Sequence, residues 1–269
     1  MTSVKTIVLV SLTGLALASF GCSHSSGSLT SGDPTLIDLT HVFDTETIYW
    51  PTAPGFALHS DFEGETDGGW FYESNTLSTS EHGGTHLDAP VHFAEGALST
   101  DEIPLRRLIG PAAVIDVSAA CAADRDHAIS ADEIEAWEAR HGRLAEGTIV
   151  LFRTGFDRYW PDAERYLGTD ARGPAGVAAL RFPGLSAPAA ELLAEDRRVG
   201  AVGIDTASLD PGRSADFRAH RILFRRDIPG FENVKGLDQL PPTGATIIAL
   251  PMKIGSGSGG PLRIIAILP

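Results

Sequence analysis

Hydrophobic positions in this chain come in short runs. Runs rich in Val, Ile and Leu lie at 36–39, 70–77, 113–117, 148–153, 200–204, 246–250 and 262–268, bordered by Gly, Pro and Asp. Runs of that length and composition with such borders predict β-strands. Between several of them the pattern turns helical. Ser130-Ala131-Asp132-Glu133 is a capping-box signature that predicts a helix through about Arg140, with Gly142 as its stop. Ser186 can cap a second helix carrying Leu192 and Leu193, with Pro188 in its first turn. A third spans roughly 214–226, with Phe217, Ile222, Leu223 and Phe224 along it. Strands alternating with helices indicate an α/β domain. Several strands have no helix between them, so a mixed sheet is expected rather than a parallel one. There is no internal repeat, and 36–269 reads as a single domain.

The first 35 residues differ. Lys5 is the only charge before Cys22, and an apolar run follows it from Thr6 to Phe20. A positive start and a short apolar stretch are the layout of an export signal over 1–21, too short for a spanning helix. Two processing routes fit. Ala16-Leu17-Ala18 suits ordinary signal peptidase, whereas Ser19-Phe20-Gly21-Cys22 resembles a lipobox with Cys22 as the lipid anchor. Residues 22–35 then form a flexible polar tether. Either route predicts an exported protein, periplasmic or a membrane-anchored lipoprotein.

Charge and cysteine count narrow the chemistry. A formal charge of −14 and a pI near 5.0 exclude a nucleic-acid partner, which would require a basic footprint. A small molecule is the expected partner. With only Cys22 and Cys121, no structural disulfide and no cysteine-based zinc site are expected. Any metal must use histidine and carboxylate.

Residues 81–93, EHGGTHLDAPVHF, supply both. His82, His86 and His92 crowd around Asp88. Gly83, Gly84 and Pro90 argue against a helix. In an extended segment His86 and Asp88 point to the same side, because side chains alternate. The glycines let the backbone bend so that His82 reaches the same point. Two imidazoles and a carboxylate make a three-donor site with open positions, the set of a catalytic divalent ion. Such an ion lowers the pKa of bound water from 15.7 toward about 7, and His92 suits proton delivery to a leaving nitrogen.

The pattern H-x-G-T-H-x-D-x-P-x-H resembles the signature of the cyclase-like metal hydrolase family, which includes bacterial kynurenine formamidases and isatin hydrolases. The resemblance runs from about Leu36 to Pro269. It implies a swivelling β/β/α fold, one or two divalent ions (zinc or manganese) and a homo-oligomer. It implies that His82, His86 and Asp88 hold the first ion and that His92 is the proton donor/acceptor. His220 and Glu232, twelve residues apart in HRILFRRDIPGFE, match the family's second-metal pair, with Asp88 bridging. Trp50-Pro51 matches an aromatic–Pro segment that contacts substrate. Asp205, in GIDTAS, matches a stretch near the active site, although an Asp after a strand serves equally well as a turn cap. The expected activity is hydrolysis of a C–N bond in a small aromatic or cyclic amide by metal-bound hydroxide. Its substrate is either N-formylkynurenine or a lactam of the isatin type. The alternative is a non-enzymatic, lipid-anchored metal- or ligand-binding protein, which would have no use for His92.

Overall fold

The computed structural model describes residues 34–268. The export signal, Cys22 and nearly all of the tether lie outside the described residues. Twelve strands are described: β1 (Thr35–Asp38), β2 (Ala57–Glu65), β3 (Phe71–Ser78), β4 (His86–Asp88), β5 (Ile109–Asp116), β6 (Ala128–Ile129), β7 (Ile149–Arg153), β8 (Gly184–Leu185), β9 (Ala201–Ile204), β10 (Gly230–Glu232), β11 (Thr243–Pro251) and β12 (Gly259–Leu268). Eight of them form one sheet in the order β1-β12-β11-β5-β7-β9-β10-β4. The strands β5, β7, β9 and β10 run parallel, and the remaining pairings are antiparallel. The start of β12 also pairs with β4, Gly259 facing Asp88 and Pro261 facing His86, so the sheet closes into a barrel-like core. This is the single mixed α/β domain expected.

Alternation along the strands builds two hydrophobic cores. Ile149 and Leu151 of β7 join Leu87, Phe231, Ile247 and Ile264 in a cluster that draws on strands all round the sheet. Val150 and Phe152, one step out of phase, pack on the opposite face. That face is covered by helices. These are α1 (Ser118–Ala123), α2 (Ala131–His141), α3 (Ala163–Leu167), α4 (Gly173–Ala179), α5 (Ala187–Glu191) and α6 (Arg218–Phe224).

The helix signals resolve unevenly. At α2 the capping box forms: the Glu133 N–H donates to Ser130 Oγ at 3.3 Å, and the Ser130 N–H donates to Glu133 Oε2 at 2.8 Å. Ser186 caps α5, which continues through Leu192–Arg197 as a wider π-helical turn. The third helix is shorter than the 214–226 pattern. Phe217 sits in the left-handed region at φ 47, which breaks the helix before Arg218. Asp210 then accepts the Ala219 and His220 N–H groups, satisfying donors that a helix start leaves open.

Candidate metal centre

The β4 strand fixes the centre because it has only one way to sit. Leu87 is fully buried in the inner core, so His86 and Asp88 on either side must face the other way. A one-residue slip would bury both polar groups in the apolar interior. The chain bends into this strand at Gly84, φ 57, where a Cβ would lie 2.6 Å from the Phe43 ring. The next strand over, β10, brings Glu232 opposite His86. Helix α6 delivers His220 from the covering layer. Pro90–His92 forms a single 3₁₀ turn that lifts His92 over the centre.

Asp88 is the hub. Its Oδ1 lies 2.6 Å from His82 Nδ1 and 3.1 Å from His86 Nε2, and its Oδ2 lies 3.2 Å from His220 Nε2. Glu232 lies 3.0 Å from His220 Nε2 and 3.5 Å from His86 Nε2. All except His82 and His92 are buried. Two donor groups result: His82, His86 and Asp88, and Asp88, His220 and Glu232. Asp88 belongs to both, so the structure brings together all five ligand candidates read from the sequence.

The donors fit a divalent cation, and the outer hydrogen bonds show why. His86 Nδ1 is 3.0 Å from the Gly84 carbonyl, and His220 Nδ1 is 2.6 Å from Asp210 Oδ2. Carbonyl and carboxylate oxygens only accept, so both Nδ1 atoms carry hydrogen and each neutral ring turns a bare Nε2 inward. His86 Nε2 has no hydrogen-bond partner although it is buried. Lone pairs on nitrogen therefore face lone pairs on carboxylate oxygen. That arrangement is resolved by a cation.

Electrostatics say the same. Burial opposes charge on His86, yet Asp88 and Glu232 push its pKa up to about 9. Burial also opposes charge on His220, but Asp210, Asp88 and Glu232 raise its pKa well above the usual imidazole value. Burial works to raise Asp88, and the facing His82 and His86 nonetheless hold it well below the carboxylate range. Glu232 is pushed up by burial and by Asp88. Without a metal the cluster draws in protons; a divalent ion supplies the same positive charge.

His92 lacks such partners. Burial lowers its pKa to about 4, and His82, His220 and His86 add to that effect against Asp88, so it is a neutral base at neutral pH. It borders a cavity of about 400 Å³ over the metal donors, walled by Ile48, Trp50, Phe93, Ala207 and Phe217. Phe217 lies 5.0 Å from Phe93 and 6.2 Å from Trp50 between ring centroids. Its left-handed backbone turns its ring into this wall. Among the described residues, no Lys or Arg lines the cavity.

Asp205 is the exception among the sequence candidates. It is fully buried and away from the cavity lining, its carboxylate accepting from Thr154 N–H, Thr154 Oγ1 and Gly155 N–H. Its carboxylate therefore caps a turn, and it is its neighbours Ala207 and Ser208 that line the cavity. Asp210, Ser258, Phe93 and Phe217 join the site without having been singled out. Only Phe217, through the helical pattern, carried any sequence signal.

The comparisons agree with this geometry. Residues 37–211 match the family model described as "Putative cyclase". The chain is 36% identical over 262 residues to isatin hydrolase of Roseibium aggregatum, covering 92% of this chain and 97% of that one. It is 33% identical to kynurenine formamidase of Salinibacter ruber, covering 71% and 77%. The structure of isatin hydrolase A from Ralstonia solanacearum superposes with a TM-score of 0.79 at 32% identity, over 88% of this chain and 92% of that one. The mixed barrel-like sheet, the His/carboxylate centre and these matches have one reading: the chain belongs to the cyclase family of metal-dependent hydrolases.

Proposed function

We propose that the protein is a metal-dependent amide hydrolase that opens a small, flat, neutral aromatic lactam of the isatin type. The observation that carries the substrate reading is the cavity wall. Away from the metal donors it is largely aromatic and aliphatic, with Ser80, Ser208 and Asn233 as uncharged polar groups, and among the described residues no Lys or Arg lines it to meet an α-carboxylate. N-formylkynurenine brings a charged amino-acid end that this wall would desolvate without a partner, at a cost of several kcal/mol. An isatin-type ring brings none. The similarity to isatin hydrolase over nearly the whole chain supports the same choice.

The donors that would hold the metal are His82, His86 and Asp88 at one position and Asp88, His220 and Glu232 at the other. A divalent ion there lowers the pKa of water toward about 7 and polarises a carbonyl, and His/carboxylate ligation suits zinc and manganese alike. The chain's own residues do the rest. Trp50, Phe93 and Phe217 stack the ring and exclude water from its faces. In the reaction a C–O bond forms, the ring C–N bond breaks, and the leaving nitrogen takes a proton. His92, neutral at the start, takes a proton from water at a ring nitrogen and passes it to that leaving nitrogen. Measuring kcat/KM for isatin and for N-formylkynurenine with zinc or manganese restored tests the choice. A higher value for N-formylkynurenine overturns it.

Two further parts of the reading concern its setting. Export with a lipid anchor at Cys22 is supported by the apolar run and the lipobox-like segment; loss of palmitate labelling in a Cys22→Ala variant tests the anchor. A homo-oligomer is supported by the β2–β3 hairpin, a separate two-stranded sheet exposing Leu58, Phe62, Trp70, Phe71, Tyr72 and Leu77. Light scattering of the purified protein tests that.

A further inference from the structure

His82 has an outer partner of a different kind from those of His86 and His220. Its Nε2 lies 2.9 Å from Ser258 Oγ. That hydroxyl donates to Glu81 Oε2 at 2.6 Å, and the Ser258 backbone N–H donates to the same oxygen at 3.2 Å. A carboxylate only accepts, and a serine hydroxyl has one hydrogen to give. With that hydrogen committed to Glu81, Ser258 Oγ can offer His82 only a lone pair. Ser258 therefore calls for the ring hydrogen of neutral His82 on Nε2, and Nδ1, 2.6 Å from Asp88 Oδ1, is free of hydrogen when a cation is there for the two to share.

The turn that carries Ser258 is shaped to reach both residues. A Cβ at Gly257 would lie 2.8 Å from Glu81 Oε1, and one at Gly259 would lie 2.6 Å from His82 Cε1. The Ser258 carbonyl accepts the Ala89 N–H at 2.9 Å, which ties the turn to the segment holding Asp88. His82 is also the exposed member of the centre: its side chain is 25% accessible, against 3% for His86 and for His220. Water can compete for its outer nitrogen, so its orientation requires an anchor that a buried ring does not.

We propose that Glu81 and Ser258 are positioning residues that set the tautomer and ring orientation of His82, so that Nδ1 faces the metal position. The proposal rests on His82 being a metal ligand, as read above. It assigns Ser258 to His82 the part that the Gly84 carbonyl plays for His86 and Asp210 for His220.

The test uses the full chain loaded with Zn²⁺ and labelled with ¹⁵N-histidine, because without an ion the Asp88 carboxylate itself draws a hydrogen onto Nδ1. Long-range ¹H–¹⁵N correlation should show His82 with its hydrogen on Nε2. In Ser258→Ala and in Glu81→Gln the opposite tautomer should gain population, and Zn²⁺ affinity by chelator competition should fall about 10- to 100-fold. Ser258→Thr, which keeps the hydroxyl, should restore both. Wild-type spectra and Zn²⁺ affinity in both Ser258→Ala and Glu81→Gln overturn the positioning role. His82→Ala separates the two readings. If it binds Zn²⁺ as tightly as wild type, the ligand assignment has failed; if it loses Zn²⁺ while Ser258→Ala does not, only the positioning role has failed.

Discussion

His92 stacks face to face on His82, with ring centroids 3.9 Å apart and planes 21° apart. The contact holds a neutral imidazole over the metal donors without making it one of them. His92→Ala should therefore retain its divalent ion by elemental analysis and lose about 10²- to 10⁴-fold in kcat, the usual worth of a positioned acid–base group. Loss of the ion together with the activity would make His92 a ligand instead.

His220 depends on Asp210 for its orientation, through the 2.6 Å bond at Nδ1 and the 3.1 Å bond at the backbone N–H. Asp210→Asn keeps an acceptor there but removes the charge that raises the basicity of the ring. Metal affinity should fall about 10- to 100-fold, read by chelator competition. The fold should hold, because the single amide oxygen of Asn can still accept from His220 and only the Ala219 N–H loses its partner.

Most strands of the barrel wall were legible because their own apolar runs encode them: all seven runs became strands, six of them in the eight-stranded sheet and the seventh in the β2–β3 hairpin, and the capping box at Ser130 and Glu133 formed as read. The His82–Asp88 segment was equally plain, since its glycines and proline forbid a helix locally. What stayed hidden depends on distant partners. The short strand Gly230–Glu232 exists because β4 and β9 flank it. Strand β2, ALHSDFEGE, is acidic and largely exposed, and only its pairing with β3 makes it a strand. Asp210 and Ser258 gain their roles from residues ten and more than a hundred positions away. Asp205 shows the limit of reading position alone. A strand end pointed to the right region, yet three donors of the Thr154–Gly155 turn claim its carboxylate.

His41 predicts an acid-sensitive contribution to stability. It is 6% exposed, stacked 4.1 Å from Trp160, with Nε2 unpartnered. Burial, with Lys235 nearby, lowers its pKa from 6.5 to about 3. Between those values the unfolded chain binds a proton that the native state refuses, so stability is fully present above about 6.5 and is lost as pH falls toward 3. Urea unfolding at several pH values should show His41→Phe losing less stability on acidification than wild type, by up to one proton's worth of slope. Equal slopes would contradict this.

Trp50 supplies one aromatic wall of the cavity. Trp50→Ala should raise KM for isatin by roughly ten-fold or less, the scale of the ~0.5–1.5 kcal/mol an aromatic pair adds beyond its buried area, while metal content stays unchanged. A pure fall in kcat would place Trp50 in the chemistry rather than in binding.

The most direct test of the whole account is the rate of isatin ring opening by the full chain after metal removal and after restoring zinc or manganese. The account predicts that stripping abolishes turnover and that a divalent ion restores it. Turnover undiminished in stripped protein, with no divalent ion bound on titration, would contradict it.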